Sequence, residues 1–553
     1  MSTRQKAQGR SSLGLEVKVH PRPAYVLVAV LVVIVVLSLT AYQFVDVMSS
    51  EYRAASRTAD TAQAKLSAAS GVYYAVGMIS DPATFANDLN GNPFDAPSAF
   101  SEVVVNGAEG RRGSKFSIVT SAYTGGGLDN PGSFTTRNGV VDEGGKLNIN
   151  TLIQLDPTGQ VLHDALMKLP NMTEEIADAI VDWVDKDDDT RAAGAESSYY
   201  LSLQNPYRAK NGPLNSVDEL LFVRGVTADL LHGSDANRNG VADEVGGAAG
   251  FTRGWADLIT VYGRELNVDA TGALRLYVGE SEDMPGLYSK LQTAVGADMA
   301  AYVMAFKMFT SSTATVSTST TTSGGGTTVT VTVSGTTGSS GSNTVIGGTA
   351  ELTAAVETAL AGIPVNKKRI KSLMDMYGTQ VTLPKLPAQP GQPAPPTVVV
   401  PCPLNDPTRW AELLPILMDK TTATTNVELV PRLNLFTAPR EVMLTVPGMT
   451  EAFADQLIEK RANLSATDPT VSSGAWVMTA GGVPAATFKT MEKYVTGRSM
   501  VYRVHAIGYS GMSGGPVARA EAVFDTNQGA PRILYFRDLG DLDTPRGFDP
   551  PTQ

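Results

Sequence analysis

Residues 24–44 form an apolar run, AYVLVAVLVVIVVLSLTAYQF, that contains no charged residue. A run of this length matches the ~30 Å hydrocarbon thickness of a bilayer, whereas a helix in a soluble core needs far fewer apolar residues. The sequence contains no second run of this kind. We therefore expect one transmembrane helix, with everything that follows it on one side of a membrane.

The charges on either side of this run predict the orientation of the helix. Glu16 is the lone acid in residues 1–23, whereas Asp46 and Glu51 follow the run. Because positively charged flanks stay in the cytoplasm, we expect a cytoplasmic segment at 1–23 and an exported C-terminal part. A cleaved signal peptide fits less well, because the run exceeds a usual signal core and no A-x-A site closes it. The basic residues before the run are Arg4, Lys6, Arg10, Lys18 and Arg22.

The predicted helix continues past the membrane. Residues 45–80 contain no proline, and apolar or small side chains recur there at steps of three and four. This spacing is typical of one helical stripe, and it stops at Asp81-Pro82, because proline cannot continue a helix interior. We expect one helix to about Ile79, half in the membrane and half packed on a globular head. The alternative is a membrane anchor followed by an unrelated coiled segment.

Composition and motifs exclude several classes of function. A net charge of −11 and a pI of about 5.1 argue against general nucleic-acid binding, which relies on clustered Lys and Arg. Cys402 is the single cysteine, so an internal disulfide is impossible and another staple, such as Ca²⁺, is worth seeking. The histidines are scattered, and no P-loop, G-x-S-x-G or H-E-x-x-H motif occurs. We therefore expect no enzymatic activity.

Changes in composition divide the exported part into segments. Ser, Thr and Gly dominate residues 310–349, which predicts a flexible linker, although the VTVTV alternation leaves room for a short strand pair. Prolines predict a second, extended linker at 384–402. Residues 498–553 have the pattern of three antiparallel strands. The other predicted segments are a β region at 81–144, an inserted helical domain at 145–309, a helical segment at 350–383 and a second helical region at 403–497.

Two stretches in the helical regions repeat one pattern. GKLNINTLIQLDP…LPNMTEEIADAIVDWVD and PRLNLFTAPREVMLTVPGMTEAFADQLIEKRA both contain Leu-Asn-x-x-Thr, a helix, a Pro-Asn or Pro-Gly turn, and a second helix capped by Thr173 or Thr450. GPLNSVDELLFVRGVTADLL is a degenerate third copy. We interpret these as helix-hairpin-helix or SAM-like units. The second glycine of a phosphate-binding hairpin is missing, and DWVDKDDD follows the first unit, so packing or protein contact is favoured over DNA binding.

Two acidic stretches have the spacing of calcium-binding loops. The first has oxygen ligands at alternate residues, a turn at Gly240 and a backbone carbonyl at Val241; Gly246 stands where a final Glu is usual, so Glu244 would substitute. In the weaker second stretch, Thr190 replaces the turn glycine. Each stretch has the alternative of a solvated acidic loop. The candidate ligands are Asp235, Asn237, Asn239, Val241, Asp243 and Glu244 in the first stretch, and Asp185, Asp187, Asp189 and Glu196 in the second.

A family resemblance is most specific over residues 145–227. After GKLNINTL, the stretch IVDWVDKDDDTRAAGAESSYYLSLQNPYRAKNGPLNSVDELLFVRGVT contains an Asp-Trp-Val-Asp acidic turn, Gly-Ala-Glu, Tyr-Tyr, Pro-Tyr and Asn-x-Pro-Leu. In this order the chain resembles the GspK family, the large minor pseudopilins of bacterial type II secretion systems. The resemblance implies an α+β fold, in which a pilin-like long N-terminal helix packs on an antiparallel sheet that an α-domain interrupts.

The same resemblance implies a function and a location. Members are non-enzymatic subunits at the tip of a short periplasmic pseudopilus, where they act in assembly initiation and in protein secretion across the outer membrane. The implied partners are GspI- and GspJ-like minor pseudopilins, the major pseudopilin, and the secreted substrate or the secretin, with no nucleic acid. The implied location is a single pass through the inner membrane with a periplasmic C-terminal domain, and the implied cofactor is Ca²⁺.

The N-terminus departs from the family pattern. Prepilin peptidase usually cuts after a glycine directly before the apolar segment, but here Pro23 precedes it and the nearest glycine is Gly14. The bond between Pro23 and Ala24 is therefore only a weak candidate for processing. The alternative functions are a type IV pilus minor pilin and a membrane-anchored helix-hairpin-helix binding protein.

Overall fold

The computed structural model describes part of the chain and divides it into two units. The described residues are 25–106, 113–124, 133–233, 235, 238, 253–323, 326–335, 344–362, 368–384, 395–465, 468–510, 517–527, 530–540 and 542. The units are Met1–Ala62 and Gln63–Gln553.

The α-helices are numbered in chain order. They are Tyr25–Ser80 (α1), Pro82–Asn87 (α2), Pro97–Phe100 (α3), Ile149–Leu155 (α4), Gln160–Leu166 (α5), Glu174–Val184 (α6), Ser197–Leu201 (α7), Ala228–His232 (α8), Met284–Val295 (α9), Ala297–Met308 (α10), Thr349–Leu360 (α11), Trp410–Lys420 (α12), Arg440–Met443 (α13), Glu451–Arg461 (α14), Pro469–Ser473 (α15), Trp476–Thr479 (α16) and Ala485–Met491 (α17).

The strands are numbered in the same way. They are Val103–Asn106 (β1), Ser114–Thr124 (β2), Ser133–Arg137 (β3), Val141–Asp142 (β4), Leu147–Asn148 (β5), Ile259–Thr260 (β6), Glu265–Leu266 (β7), Leu276–Tyr277 (β8), Thr310–Ser323 (β9), Gly326–Gly335 (β10), Thr344–Ile346 (β11), Thr379–Thr382 (β12), Thr397–Pro401 (β13), Thr421–Thr422 (β14), Glu428–Leu429 (β15), Leu433–Asn434 (β16), Val495–Thr496 (β17), Val501–Ser510 (β18), Val517–Asp525 (β19) and Arg532–Asp538 (β20).

Helix α1 contains the apolar run and ends beside the predicted stop signal. It is the one helix of the described residues that is long and apolar enough to cross a membrane, and its most apolar stretch has no buried residue. The helix ends at Ser80. Asp81 then caps α2 by accepting a hydrogen bond from the Ala83 N–H at 3.1 Å, and Pro82 occupies the first position of α2.

The C-terminal turns of α1 pack on an antiparallel sheet through small side chains. Gly508 on β18 allows the helix to approach closely, because a Cβ there would lie 2.1 Å from the Ala64 carbonyl oxygen and 2.3 Å from the Ala68 nitrogen. Tyr74 packs against Phe116 of β2 with ring centroids 5.3 Å apart. The buried α1 residues are Ala64, Ser67, Ala68, Gly71, Val72, Ala75, Val76 and Ile79.

Seven strands among the described residues form that sheet. The order is β1-β2-β18-β19-β20, with β3 beside β2 and β4 beside β18. All the pairings are antiparallel, and Ala506 at the centre of β18 faces Ala520 of β19 and Ile118 of β2. The three predicted C-terminal strands are therefore present, and they join strands from the predicted β region at 81–144. Strands distant in sequence thus meet in one sheet, with the helical regions inserted between them.

Strands replace the predicted flexible linker over most of the described residues of 310–349, and they are longer than the short strand pair for which the VTVTV alternation left room. Strands β9 and β10 pair in antiparallel register from Gly326↔Ser323 to Gly335↔Ala314, and β9 continues a five-stranded sheet of order β10-β9-β12-β13-β11. Thr and Val are β-branched and favour extended backbone, so pairing overrides the low-complexity composition. Strand β13 likewise replaces the C-terminal part of the predicted linker at 384–402.

The predicted helical segment at 350–383 and the predicted boundary at 309 also need correction. The α-helix of that segment ends at Leu360, and the segment closes with strand β12. Helix α10 is buried from Met299 to Met308 and contacts α11 as well as α9. Lys307 within it is buried and donates to the Val278 and Gly279 carbonyls at 2.8 and 2.6 Å. The residues on both sides of position 309 therefore share one core.

Three turns in the helical regions have the same backbone geometry. Each places a residue with a left-handed φ two positions before an N-cap threonine: Asn171 at +57°, Gly225 at +83° and Gly448 at +87°. Asn and Gly are the residues that tolerate this conformation best. The assignment of these turns to the helix-hairpin-helix class stays a prediction. The N-cap threonines are Thr173, Thr227 and Thr450.

Each of two helical regions also begins and ends in a short strand. In the first, β5 (Leu147–Asn148) pairs in parallel with β6 (Ile259–Thr260). In the second, β16 (Leu433–Asn434) pairs in parallel with β17 (Val495–Thr496). Both opening strands read Leu-Asn and both closing strands read Ile-Thr or Val-Thr, so the two regions are built alike.

Candidate acidic metal site

Helix α6 and its C-cap residue Asp185 carry three carboxylates. Thr173 caps the helix, and its hydroxyl accepts from the Ile176 N–H at 3.4 Å. Asp178, Asp182 and Asp185 follow at spacings of four and three residues, which place side chains above one another on a helix. Burial of these acids on α6 requires partners that compensate their charge.

The loop after α6 brings a fourth carboxylate back to the helix. One oxygen from each of Asp182, Asp185 and Glu196 lies within 4.8 Å of the others. These residues are 0%, 9% and 2% exposed, so the cluster is shielded from solvent. Glu196 also caps the short helix α7 by accepting from the Ser197 N–H at 3.1 Å.

The electrostatics of the cluster are unfavourable without a cation. Burial raises the pKa of Asp182 to about 6, of Asp185 to about 7 and of Glu196 to about 7, and repulsion between neighbouring carboxylates adds to each increase. Asp185 Oδ1 and Glu196 Oε1 are buried and have no hydrogen-bond partner among the described residues. Buried carboxylate oxygens without donors call for a further partner, such as a bound cation.

The donor set suits a hard divalent cation. Ca²⁺ binds carboxylate, carbonyl and water oxygens, and Mg²⁺ prefers similar donors with stricter geometry. Asp182, Asp185 and Glu196 supply carboxylate oxygens, and their summed charge exceeds that of one divalent ion. Such an ion would satisfy the two free oxygens and cancel the repulsion that raises the three pKa values.

An aromatic cluster packs next to the acidic site. Trp183 lies between Asp182 and Asp185 in sequence and packs edge-on against Tyr200, with ring centroids 5.1 Å apart. Tyr200 stacks on Tyr207 at 5.2 Å. Trp183 Nε1 donates to Glu219 Oε1 at 3.1 Å. The Asp-Trp-Val-Asp, Tyr-Tyr and Pro-Tyr motifs thus share one core.

A reciprocal pair of hydrogen bonds links two further motifs. The Leu214 N–H donates to Asn150 Oδ1 at 2.8 Å, and Asn150 Nδ2 donates to the Leu214 carbonyl at 2.9 Å. GKLNINTL and GPLN are therefore adjacent in space although about sixty residues separate them.

The structure brings together only part of the predicted second loop. Asp185 and Glu196 enter the cluster, but Asp187 and Asp189 are exposed and lie outside it, where Asp187 Oδ1 accepts from the Asp189 N–H at 3.0 Å. The cause is that α6 extends to Val184, so the residues after it do not adopt a ligand loop with alternating donors.

Most of the other predicted site residues lie outside the described residues. This holds for Asn237, Asn239, Val241, Asp243 and Glu244 of the first loop. Asp235 of that loop is described and lines a polar cleft. The candidate processing residues Pro23 and Ala24 also lie outside the described residues.

Sequence reasoning missed Asp182 as a member of the cluster. The signal was present, because Asp182 precedes Asp185 by three residues on a predicted helix. A loop pattern counts forward from the first acid and therefore ignores a ligand supplied by the preceding helix.

Comparisons with known proteins identify the segment that contains this site. Residues 145–233 match the family model described as Type II secretion system (T2SS), protein K. A Type II secretion system protein K of Pectobacterium carotovorum subsp. carotovorum is 36% identical over 86 residues, which are 15% of this chain and 26% of that protein. One of Aeromonas hydrophila is 47% identical over 57 residues, 10% of this chain and 17% of that protein. The chain thus spans about a quarter or less of these relatives.

One solved structure is also similar over a large share of the chain. It is the GspK-GspI-GspJ complex of the enterotoxigenic Escherichia coli Type 2 Secretion System, with 11% identity, a TM-score of 0.34 and coverage of 85% of this chain and 93% of that one. A TM-score of this size carries no conclusion about fold or partners. The family model and the two relatives instead confirm the resemblance where it is most specific: residues 145–233 are similar to type II secretion system protein K.

Proposed function

We propose that this chain is a non-enzymatic minor pseudopilin at the tip of a type II secretion pseudopilus. It acts there in assembly initiation and in protein secretion across the outer membrane. The observation that carries this proposal is the protein K match over residues 145–233, the segment that also holds the buried carboxylate cluster.

The arrangement of α1 supports a pilin-like role. Its C-terminal turns bury small side chains against an antiparallel sheet, and its N-terminal part is apolar enough to cross a membrane. We propose that the helix anchors the chain in the inner membrane by a single pass. The basic residues at 1–23 stay in the cytoplasm and the C-terminal domain lies in the periplasm.

The outer face of α1 supports contact with other pilin-like helices. Leu66 and Tyr73 are spaced by seven residues and are 64% and 63% exposed, although both lie on turns whose opposite face is buried. Exposed apolar side chains in register on a helix suit helix–helix packing. We propose GspI- and GspJ-like minor pseudopilins and the major pseudopilin as partners, and the secreted substrate or the secretin as a further contact.

Ca²⁺ is the proposed cofactor of the acidic site. Its support is the pair of free buried oxygens on Asp185 and Glu196, together with the raised pKa values of both groups. A bound Ca²⁺ would tie the loop after α6 to the helix and stabilise the domain that carries the family motifs. The first loop at residues 235–244 remains a second candidate by its sequence spacing.

Deletion of the gene in the bacterium that encodes it tests the proposed function. We expect proteins normally found in the culture medium to accumulate in the periplasm, and a plasmid copy of the gene to restore their release. Culture medium and periplasm are compared by quantitative mass spectrometry. Unchanged release would overturn the proposal, and a loss of surface pili with normal release would identify a type IV pilus minor pilin.

A further inference from the structure

The side chain of Arg191 joins the loop at residues 186–195, here called the acidic loop, to helices α5 and α6. Its Nε donates to Asp178 Oδ1 on α6 at 2.7 Å. Its two Nη atoms donate to the Thr158 carbonyl and to Gln160 Oε1, both at 3.3 Å. Thr158 and Gln160 lie at the start of α5, so the guanidinium joins α5, α6 and the acidic loop.

The backbone around Arg191 is fastened to the same helix. The Arg191 N–H lies 3.3 Å from both carboxylate oxygens of Asp182, and the Ala193 N–H donates to Asp178 Oδ2 at 3.0 Å. Gly194 passes so close that a Cβ there would lie 2.0 Å from Asp182 Oδ2. The chain between Asp185 and Glu196 is therefore drawn down onto α6.

We propose that the Asp178–Arg191 pair positions the acidic loop so that Glu196 completes the cation site with Asp182 and Asp185. This inference rests on the proposed cation binding. The helix α6 fixes the positions of Asp182 and Asp185, but Glu196 lies eleven positions after Asp185, at the far end of the acidic loop. Arg191 fixes that loop near its midpoint through three guanidinium hydrogen bonds to protein acceptors.

Charge and position predict opposite effects for the loss of Arg191. A guanidinium beside the carboxylates repels a cation, so its removal would tighten cation binding if charge alone mattered. Loss of a residue that orients ligands instead weakens metal binding, typically ~10–100-fold. The sign of the change therefore separates a positioning role from a purely electrostatic one.

The test is calorimetric titration of CaCl₂ into the metal-free, full-length chain in detergent micelles at pH 7.5. We expect Arg191→Met to weaken Ca²⁺ binding ~10–100-fold, and Arg191→Lys to weaken it as well because one ammonium cannot reach all three acceptors. The matched control is Arg208→Met at an exposed arginine, which we expect to leave the affinity unchanged.

Equal or tighter binding by Arg191→Met would overturn the positioning role while leaving the cation site intact. No binding by the unaltered chain would instead overturn the proposed site. Melting in chelator shows whether each variant folds. If Arg191→Met fails to fold, Gln160→Ala decides, because it removes one uncharged acceptor of the guanidinium: a smaller loss of affinity supports the proposal, and no loss overturns it.

Discussion

Asp185 is the residue at which proton binding and cation binding compete most directly. It is 9% exposed, its Oδ1 has no hydrogen-bond partner among the described residues, and burial with acidic neighbours raises its pKa to about 7. Ionised Asp185 therefore destabilises the metal-free fold at neutral pH. A bound cation removes that penalty.

Asp185→Asn should stabilise the metal-free protein and weaken its response to Ca²⁺. At pH 7.5 in chelator we expect the free energy of unfolding to rise by about 1–3 kcal/mol, because the amide carries no charge to bury. Added Ca²⁺ should raise the melting temperature of the unaltered protein more than that of Asp185→Asn. Thermal unfolding with chelator and with Ca²⁺ measures both effects.

Asp189→Asn is the matched control, because Asp189 is exposed and lies outside the cluster. It should change the metal-free stability by less than about 0.5 kcal/mol and keep the Ca²⁺ response. An Asp185→Asn protein that is less stable in chelator and is stabilised by Ca²⁺ as strongly as the unaltered protein would contradict the assignment.

The stability of the metal-free protein should also depend on pH in a direction unusual for acids. The folded pKa values of Asp182, Asp185 and Glu196 are about 6, 7 and 7, above their usual values near 4. Groups with raised folded pKa values lose stability as pH rises, here between about pH 4 and pH 7. The difference in unfolding free energy between Asp185→Asn and the unaltered protein should therefore grow over that range in chelator. A constant difference would contradict the raised pKa values.

Arg503 anchors a second buried charge network, between the sheet and the first helical region. Its Nε lies 2.7 Å from Glu143 Oε1, and it also pairs with Glu521. Burial opposes ionisation of Glu143, but Arg503 and Lys146 outweigh it and lower the pKa to about 2. This contribution to stability is present above about pH 4.5 and is lost as pH falls through about 2.

Arg503→Met should therefore be strongly destabilising. We expect a loss of about 3–5 kcal/mol at pH 7, because two buried carboxylates lose their shared partner. Arg409→Met, which removes a partly exposed pair with Asp298 at 3.3 Å, should cost less than about 1 kcal/mol. Urea unfolding of the full-length protein compares them, and equal losses would contradict the network.

At the residue scale, residues that belong to the site by local spacing could be predicted from the sequence, whereas residues that reach it by long-range contacts could not. Asp185 and Glu196 were named from spacing, and Asp182 could have been named from helical periodicity. The role of Arg191 could not, because its acceptors on α5 and α6 meet it only after the loop has folded back.

At the scale of elements, the close approach of α1 to β18 requires a glycine at position 508. Gly508→Ala should destabilise the protein by about 3 kcal/mol, because its Cβ would meet backbone atoms of Ala64 and Ala68 that cannot rotate away. Gly77→Ala on the exposed side of α1, with open space around it, should stabilise by about 0.5–1 kcal/mol. Chemical denaturation measures both, and a neutral Gly508→Ala would contradict the close approach.

Periodicity and stop signals predicted elements well where their formation is local. The steps of three and four before Asp81-Pro82 gave the end of α1 to within about one residue of Ser80. The full length of β9 and β10 was not predicted because Ser, Thr and Gly dominate them, and β12, which pairs with β9, lies more than forty residues further along the chain. The amino-acid composition of a segment does not predict which distant strand will pair with it.

At the scale of the whole molecule, the repeated Leu-Asn and Ile/Val-Thr strand pairs indicate two similarly built helical regions. They differ at the acidic site: α6 leads into the loop of Glu196, whereas α14 ends in Arg461, whose Nη1 donates to the backbone carbonyls of Leu435 and Ala438. The match to the protein K model lies in the first region, at residues 145–233. A bound cation would stabilise the first region, whereas the hydrogen bonds of Arg461 stabilise the second region.

Co-purification tests the proposed minor pseudopilin role most directly. The tagged full-length chain is expressed at its native level, solubilised from membranes in mild detergent with Ca²⁺, and its bound proteins are identified and quantified by mass spectrometry. We predict two smaller pilin-like proteins at near-equal molar amounts, and their loss with Tyr73→Arg on the exposed face of α1. A folded bait that recovers neither would contradict the account.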